Sequence, residues 1–317
     1  MMKKFNDVSY IFPDRIKIAL LNLPCNVKSE INEIRVRVLK PLILIFKNTN
    51  FFIDSSSNLN TEVTEQTLFI GKKDISEIFE KICNYSVYSY QNEIKNGFLT
   101  LKGGHRIGIC GTAVFNNEKI ENIKNISSLN IRISKDIQNF NLDIYNLLNI
   151  NFTGILIIGP PGSGKTTILK NLARVYSTKN INLLNQVCVI DERGELSGTY
   201  LGESQTDLGY SDILNGYKKS DGINHAIRAF SPDIIICDEI MDKDINVIKY
   251  GANCGVKFIA SMHAKNPKEL LNKPFINELL KYKIFDKFIF LSGKADPSKI
   301  VNILSLNDLI RSGKVNC

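Results

Sequence analysis

No stretch of the chain approaches the roughly 20 consecutive apolar residues that a membrane-crossing helix requires. Its longer apolar runs, such as GILIIG from Gly154 and DIIIC from Asp233, have the length of strands. The seven cysteines (Cys25, Cys83, Cys110, Cys188, Cys237, Cys254 and Cys317) include no CxxC pair or other metal-binding spacing. That argues against a zinc module or a disulfide framework and for small buried hydrophobes in a reducing compartment. Internal repeats and low-complexity tracts are missing as well. Behind the two lysines of MMKKFNDVSYIF no sustained apolar segment follows, so no signal peptide is expected and the protein is expected in the cytoplasm. A net charge of +8 would suit nucleic acid or an anionic membrane face, yet it comes without a long basic block, and a lysine-rich genome would produce the same excess.

What is present divides in two. Up to about residue 135, short alternating segments (EIRVRVL, LILIF, FLTL, RIGICGTAV) read as strands around one helical stretch, KDISEIFEKICNY. From about residue 150, apolar strand runs alternate with helical stretches, the signature of a parallel sheet covered on both faces. The expected class is α/β, with a smaller mixed α+β domain over 1–137 and a RecA-like phosphate-loop ATPase domain over 138–317.

Gly159-Pro160-Pro161-Gly162-Ser163-Gly164-Lys165-Thr166 satisfies G-x-x-x-x-G-K-[ST] in full. Glycines let successive amides turn toward phosphate oxygens, Lys165 reaches them as a point charge, and the Thr166 hydroxyl is placed to hold Mg²⁺. ILII before the loop reads as a strand. TTILKNLARV after it, from Thr166 and Thr167, reads as a helix whose N-terminus faces the anion.

Hydrolysis also requires carboxylates, and SPDIIICDEI supplies Asp238 and Glu239 at the end of a strand. Asp238 is expected at the Mg²⁺ and Glu239 at the attacking water. VCVIDERGEL ends in Asp191 and Glu192, with Glu195 further on; since parallel strands converge at their carboxyl ends, these acids belong at the same edge, although one of them alone could matter. Arg193, between them, could instead make a surface ion pair. Of the three histidines, His263 closes the strand KFIASM and is expected to sense the γ-phosphate, while His105 and His225 suggest no role.

In this order the motifs resemble the secretion and pilus-motor ATPases, with a Walker A loop, an acid-tipped strand, Arg228-x-x-x-Pro232-Asp233 leading into the Walker B strand, and a histidine-tipped strand. Several of those motors have Gly where this chain keeps Asp238. NEIRVRVLKPL, YSVYSYQNEIKNGFLTLKGGHRIGICGTAV, ISSLNIRIS, VIDERGELSG and IRAFSPDIIICDEI narrow the resemblance to the stage III sporulation AA proteins of endospore-forming bacteria, over about Glu33 to His263. Met241 and Gly194 depart from that pattern, which has Gly and Ser there; near Ser211 it has an Arg.

That resemblance implies a hexameric ATPase using ATP and Mg²⁺. It would lie in the cytoplasm against the mother-cell membrane that surrounds the forespore and energise a secretion-like channel through a polytopic membrane protein. It carries phosphate-loop roles to Lys165 and Thr166, the Asp-box acid to Glu192, the Walker B acids to Asp238 and Glu239, and the His box to His263. By the same analogy Arg106 and Arg132 of the first domain, with Arg35 and Arg37 behind them, are candidates to reach the phosphates, and Arg228 to bridge subunits. Alternating strand arginines also form ordinary solvated faces. A nucleic-acid motor and a nucleotide-binding scaffold are the rival readings. No helix-turn-helix, zinc finger or aromatic RNA-binding strand favours the first, so no nucleic-acid partner is expected.

Overall fold

The computed structural model describes residues 2–46, 49–116, 118–135, 152–178 and 185–314. The chain divides into two compact units, Met1–Asp136 with Gly198–Gln205, and Ile137–Ser197 with Thr206–Cys317.

In the first unit three short helices, α1 (Met2–Ser9), α2 (Asp14–Leu21) and α3 (Cys25–Glu30), precede an antiparallel sheet. Its strands are β1 (Glu33–Arg37), β2 (Ile43–Phe46), β3 (Thr49–Ile53), β4 (Leu59–Asn60), β5 (Phe98–Leu101), β6 (His105–Asn116) and β7 (Lys119–Arg132), ordered β4-β3-β2-β1-β7-β6-β5. Alternation sorts β1, burying Ile34 and Val36 and leaving Glu33, Arg35 and Arg37 at the other face. The helix expected over KDISEIFEKICNY is α4 (Lys72–Ile82); it buries Ile75, Ile78 and Ile82, a three-to-four-residue stripe, and ends as Asn84 and Tyr85 turn to positive φ. A single turn, α5 (Gln91–Lys95), follows. Segment Gly198–Gln205 belongs to this unit through Gly103 N, which donates to Gln205 Oε1 at 2.8 Å, and Asn84 Nδ2, which donates to Tyr200 OH at 2.7 Å.

The second unit contains β8 (Gly154–Ile158), β9 (Val187–Asp191), β10 (Asp212–Asn215), β11 (Ile234–Cys237), β12 (Lys257–Met262), β13 (Lys287–Leu291) and β14 (Ile300–Ser305). Their order is β10-β9-β11-β12-β8-β13-β14, parallel throughout except for antiparallel β14. Every residue of β8, β9 and β11 is buried, which is why they read as continuous apolar runs. The pleat deals alternate residues to opposite faces. Ile155, Ile157, Val189 and Ile236 pack with Ile168, Leu169 and Leu172 of α6 (Lys165–Thr178). Leu156, Ile158, Ile190 and Ile235 pack instead with α7 (Lys219–Phe230), α8 (Ile245–Asn253), α9 (Pro267–Leu271), α10 (Ile276–Lys281) and α11 (Leu306–Lys314).

Gly154 shows how tightly β8 is seated. A Cβ there would stand 2.2 Å from the Ile284 carbonyl oxygen and 3.0 Å from that of Phe258, both backbone atoms held in the sheet region. Gly154→Ala is therefore expected to cost about 3 kcal/mol or more. Thermal or denaturant unfolding checks this, and a change below about 1 kcal/mol would contradict the packing.

Of the cysteines, Cys83, Cys188 and Cys237 are buried, and burial pushes their thiols up to about 11, 12 and 12. Cys25, Cys110 and Cys254 are exposed, so only half of the described cysteines serve as core residues. Cys317 lies outside the described residues. None of the described helices is long and apolar enough to cross a membrane.

Candidate functional site

The carboxyl ends of β8, β9, β11 and β12 deliver one group each to a common edge. After β8 the chain turns into the loop Gly159–Gly164 and enters α6 at Lys165, so the free amides of the first helical turn face the loop's concavity. Gly164 adopts φ +89°, and a Cβ there would overlap Ser298, whose N–H donates to Ser163 O at 2.8 Å. Only glycine satisfies both conditions. Thr166 and Thr167 are half-buried in the first turn of α6.

Lys165 is 6% exposed. Its Nζ donates to Gly159 O at 2.8 Å and Pro160 O at 2.9 Å, and lies 3.0 Å from His263 Nδ1. Burial lowers its pKa from the ordinary lysine value, against the pull of Glu239. Beyond the imidazole, His263 Nε2 stands 2.7 Å from Glu239 Oε1, and Glu239 Oε2 accepts from Arg193 Nη1 at 2.9 Å. An ammonium only donates and a carboxylate only accepts, so the imidazole between them carries its proton on Nε2. Burial would raise the Glu239 carboxyl, but the His263 hydrogen bond and the Arg193 charge outweigh it and hold Glu239 below the usual range. Glu239 itself adopts φ +39°, a left-handed conformation that costs a non-glycine residue on the order of 1 kcal/mol; its N–H is fixed on Ser261 Oγ at 3.0 Å.

The two acids ending β9 divide their tasks. Asp191 is fully buried and accepts from Glu195 N, Leu196 N, Ser197 N and Ser197 Oγ at 2.6–3.2 Å. Its oxygens are consumed in shaping the Glu192–Ser197 turn. Glu192 instead accepts from Lys219 Nζ at 2.9 Å, with Lys243 Nζ at 3.9 Å from its other oxygen. Burial alone would raise the Glu192 carboxyl; the Lys219 hydrogen bond and nearby charges hold it low.

Asp238 is 3% exposed. Burial, with Asp191, Glu195 and Glu239 adding their charges and Lys219 opposing them, pushes it up to about 7. A buried carboxylate with a raised pKa, at the same sheet edge as the phosphate loop, fits a hard divalent cation that Asp238 and Thr166 would hold.

Arg228 is exposed in the last turn of α7. In the first unit Arg106 and Arg132 face each other across β6 and β7; the Arg106 guanidinium sits 3.9 Å over the Phe98 ring and Arg132 Nε is 3.5 Å from Glu33 Oε1. Arg35 binds the same Glu33 at 3.1 Å. Sequence reasoning missed Lys219 and gave Arg193 no place in the site. No spacing rule points to either, because their partners come from other strands.

The α/β fold that carries this edge is shared with solved ATPases. The X-ray structure of the Yersinia pseudotuberculosis ATPase DotB matches at TM-score 0.56 and 12% identity over 92% of this chain and 80% of that one. The Legionella pneumophila ATPase DotB matches at 0.54 and 13% over 89% and 79%. The chain belongs to the family Sporulation stage III, protein AA, whose pattern spans residues 2–308. Among its relatives, Stage III sporulation protein AA of Bacillus subtilis (strain 168) is 30% identical over 302 residues, covering 94% of each chain.

Proposed function

We propose that this protein is a RecA-like ATPase that hydrolyses ATP to energise a secretion-like channel between mother cell and forespore during endospore formation. The observation that carries the reading is the chain Lys165–His263–Glu239–Arg193, which joins the phosphate loop to the proposed base through one imidazole. In the ATP-bound protein Lys165 leaves the Gly159 and Pro160 carbonyls for the phosphate oxygens. His263 then registers that movement through Nδ1 and transmits it to Glu239 through Nε2. Glu239 orients water in line with the γ-phosphorus and takes its proton; the new P–O bond forms as the bond to the β-phosphate oxygen breaks, giving ADP and phosphate. Asp238 and Thr166 would hold Mg²⁺, which would supply neutralisation of the phosphate charge when bound.

Family membership and the secretion-ATPase fold support a hexamer at the cytoplasmic face of the membrane around the forespore, working on a polytopic membrane partner. In this reading Arg106 and Arg132 reach the phosphates from the 1–137 domain and Arg228 acts across a subunit boundary. Phosphate release in Mg²⁺ and ATP tests the activity. Glu239→Gln is expected to lower kcat at least 100-fold while a fluorescent ATP analogue still binds within about threefold. Equal turnover in the two proteins would remove Glu239 from the chemistry.

A further inference from the structure

Lys219 occupies a position that two local preferences oppose. It opens α7, where the helix dipole disfavours a cation, and it is 4% exposed, where an unpaired ammonium is strongly disfavoured. What offsets both is Glu192, whose Oε2 accepts from Nζ at 2.9 Å, and the nearby acids keep Lys219 charged although burial alone would lower its pKa. The backbone spacing is set by Gly222, one turn on, which meets Ile190 of β9 so closely that a methyl group would overlap its side chain. A buried cation on a fixed helix therefore grips a carboxylate at a strand end. Among the described residues the other lysine at Glu192 is Lys243, 3.9 Å away with its side chain 65% exposed, too distant and too solvated to do the same.

We propose that Lys219 is a positioning residue that clamps Glu192 in one orientation at the site edge and keeps its carboxylate from swinging onto the cation position at Asp238. The clamp rests on the ATPase reading for its catalytic consequence, but not for its effect on metal binding. Turnover is compared in wild type, Lys219→Met, Glu192→Gln and the double variant. Lys219→Met is expected to reduce kcat at least tenfold with KM for ATP within about threefold, and Lys219→Arg to recover most of the loss. On Glu192→Gln the same change should add less than twofold, since no carboxylate remains to be held. Unchanged kcat, or losses that multiply in the double variant, would overturn the clamp.

Mn²⁺ titrated alone into each protein gives a reading independent of turnover. Lys219→Met should bind it at least threefold more tightly than wild type as the freed Glu192 joins Asp238, and the gain should be markedly smaller in the Glu192→Gln background. Equal gains in both backgrounds would reduce Lys219 to a simple charge and overturn the proposal. Absence of phosphate release from wild type would instead count against the ATPase reading alone. If Lys219→Met melts below the assay temperature, Lys219→Gln takes its place in both cycles.

Discussion

Lys165→Ala is expected to weaken Mg²⁺–ATP binding at least 100-fold, roughly 3 kcal/mol, and to abolish turnover. The ammonium is stored within the site rather than in solvent, donating to Gly159 O and Pro160 O and touching His263 Nδ1. Binding phosphate therefore exchanges neutral carbonyl acceptors for anionic oxygens, which adds the attraction of opposite charges to bonds the ammonium already makes. Alanine removes that gain and takes the ammonium away from Gly159 O, Pro160 O and His263 Nδ1, although Pro160 O keeps the Ser163 N–H at 3.2 Å. Lys165→Arg should not rescue binding. Gly159 O and Pro160 O accept a compact ammonium at 2.8 and 2.9 Å, a position the wider guanidinium fork does not reproduce. Calorimetry or fluorescence titration reads the affinity, and a loss below about threefold would show that Lys165 is not a phosphate ligand.

How much of this site a reader of the sequence can see depends on whether a contact is local. The phosphate loop is local, and its eight residues announce a backbone shape. Strand ends are nearly so, because β8, β9 and β11 are buried on both sides and their apolar runs stop at the sheet edge, where Gly159, Glu192 and Asp238 begin. Edge strands give no such signal. β10 and β14 are mostly half-buried or exposed, and neither stands out as an apolar run. The helices of Met2–Glu30 are six to eight residues long, too short for their periodicity to declare itself.

Side-chain partnerships are the least legible. Asp191 and Glu192 are adjacent acids, but the pleat turns the first inward to four donors and leaves the second for a lysine 27 positions on. Arg193 meets Glu239 across 46 residues, and only the β9–β11 pairing brings them together. On β6 and β7 the reverse holds, since alternation foretold arginines on a strand face and the register places Arg106 opposite Arg132.

Asp238→Asn is expected to stabilise the metal-free protein at pH 8 by on the order of 2 to 4 kcal/mol, although it removes a carboxylate from the site. Burial, reinforced by Asp191, Glu195 and Glu239 and opposed by Lys219, raises Asp238 from 3.8 to about 7 in the folded state. Between those values the folded protein holds a proton that the unfolded chain has released, so stability falls as pH rises from about 4 to about 7, and the whole penalty is present above that. Below about pH 4 both states are protonated and the asparagine gains nothing. Denaturant unfolding in a chelator at pH 5 and pH 8 should therefore show a difference between variant and wild type that grows with pH. With Mg²⁺ and a non-hydrolysable ATP analogue the order should reverse at pH 8. The ionised carboxylate then has its cation, and ligand binding stabilises the folded wild type by mass action while Asp238→Asn gains little. A pH-independent difference would mean that Asp238 is already ionised in the empty site. A variant stabilised as strongly as wild type by Mg²⁺ and the analogue would take the divalent cation away from Asp238.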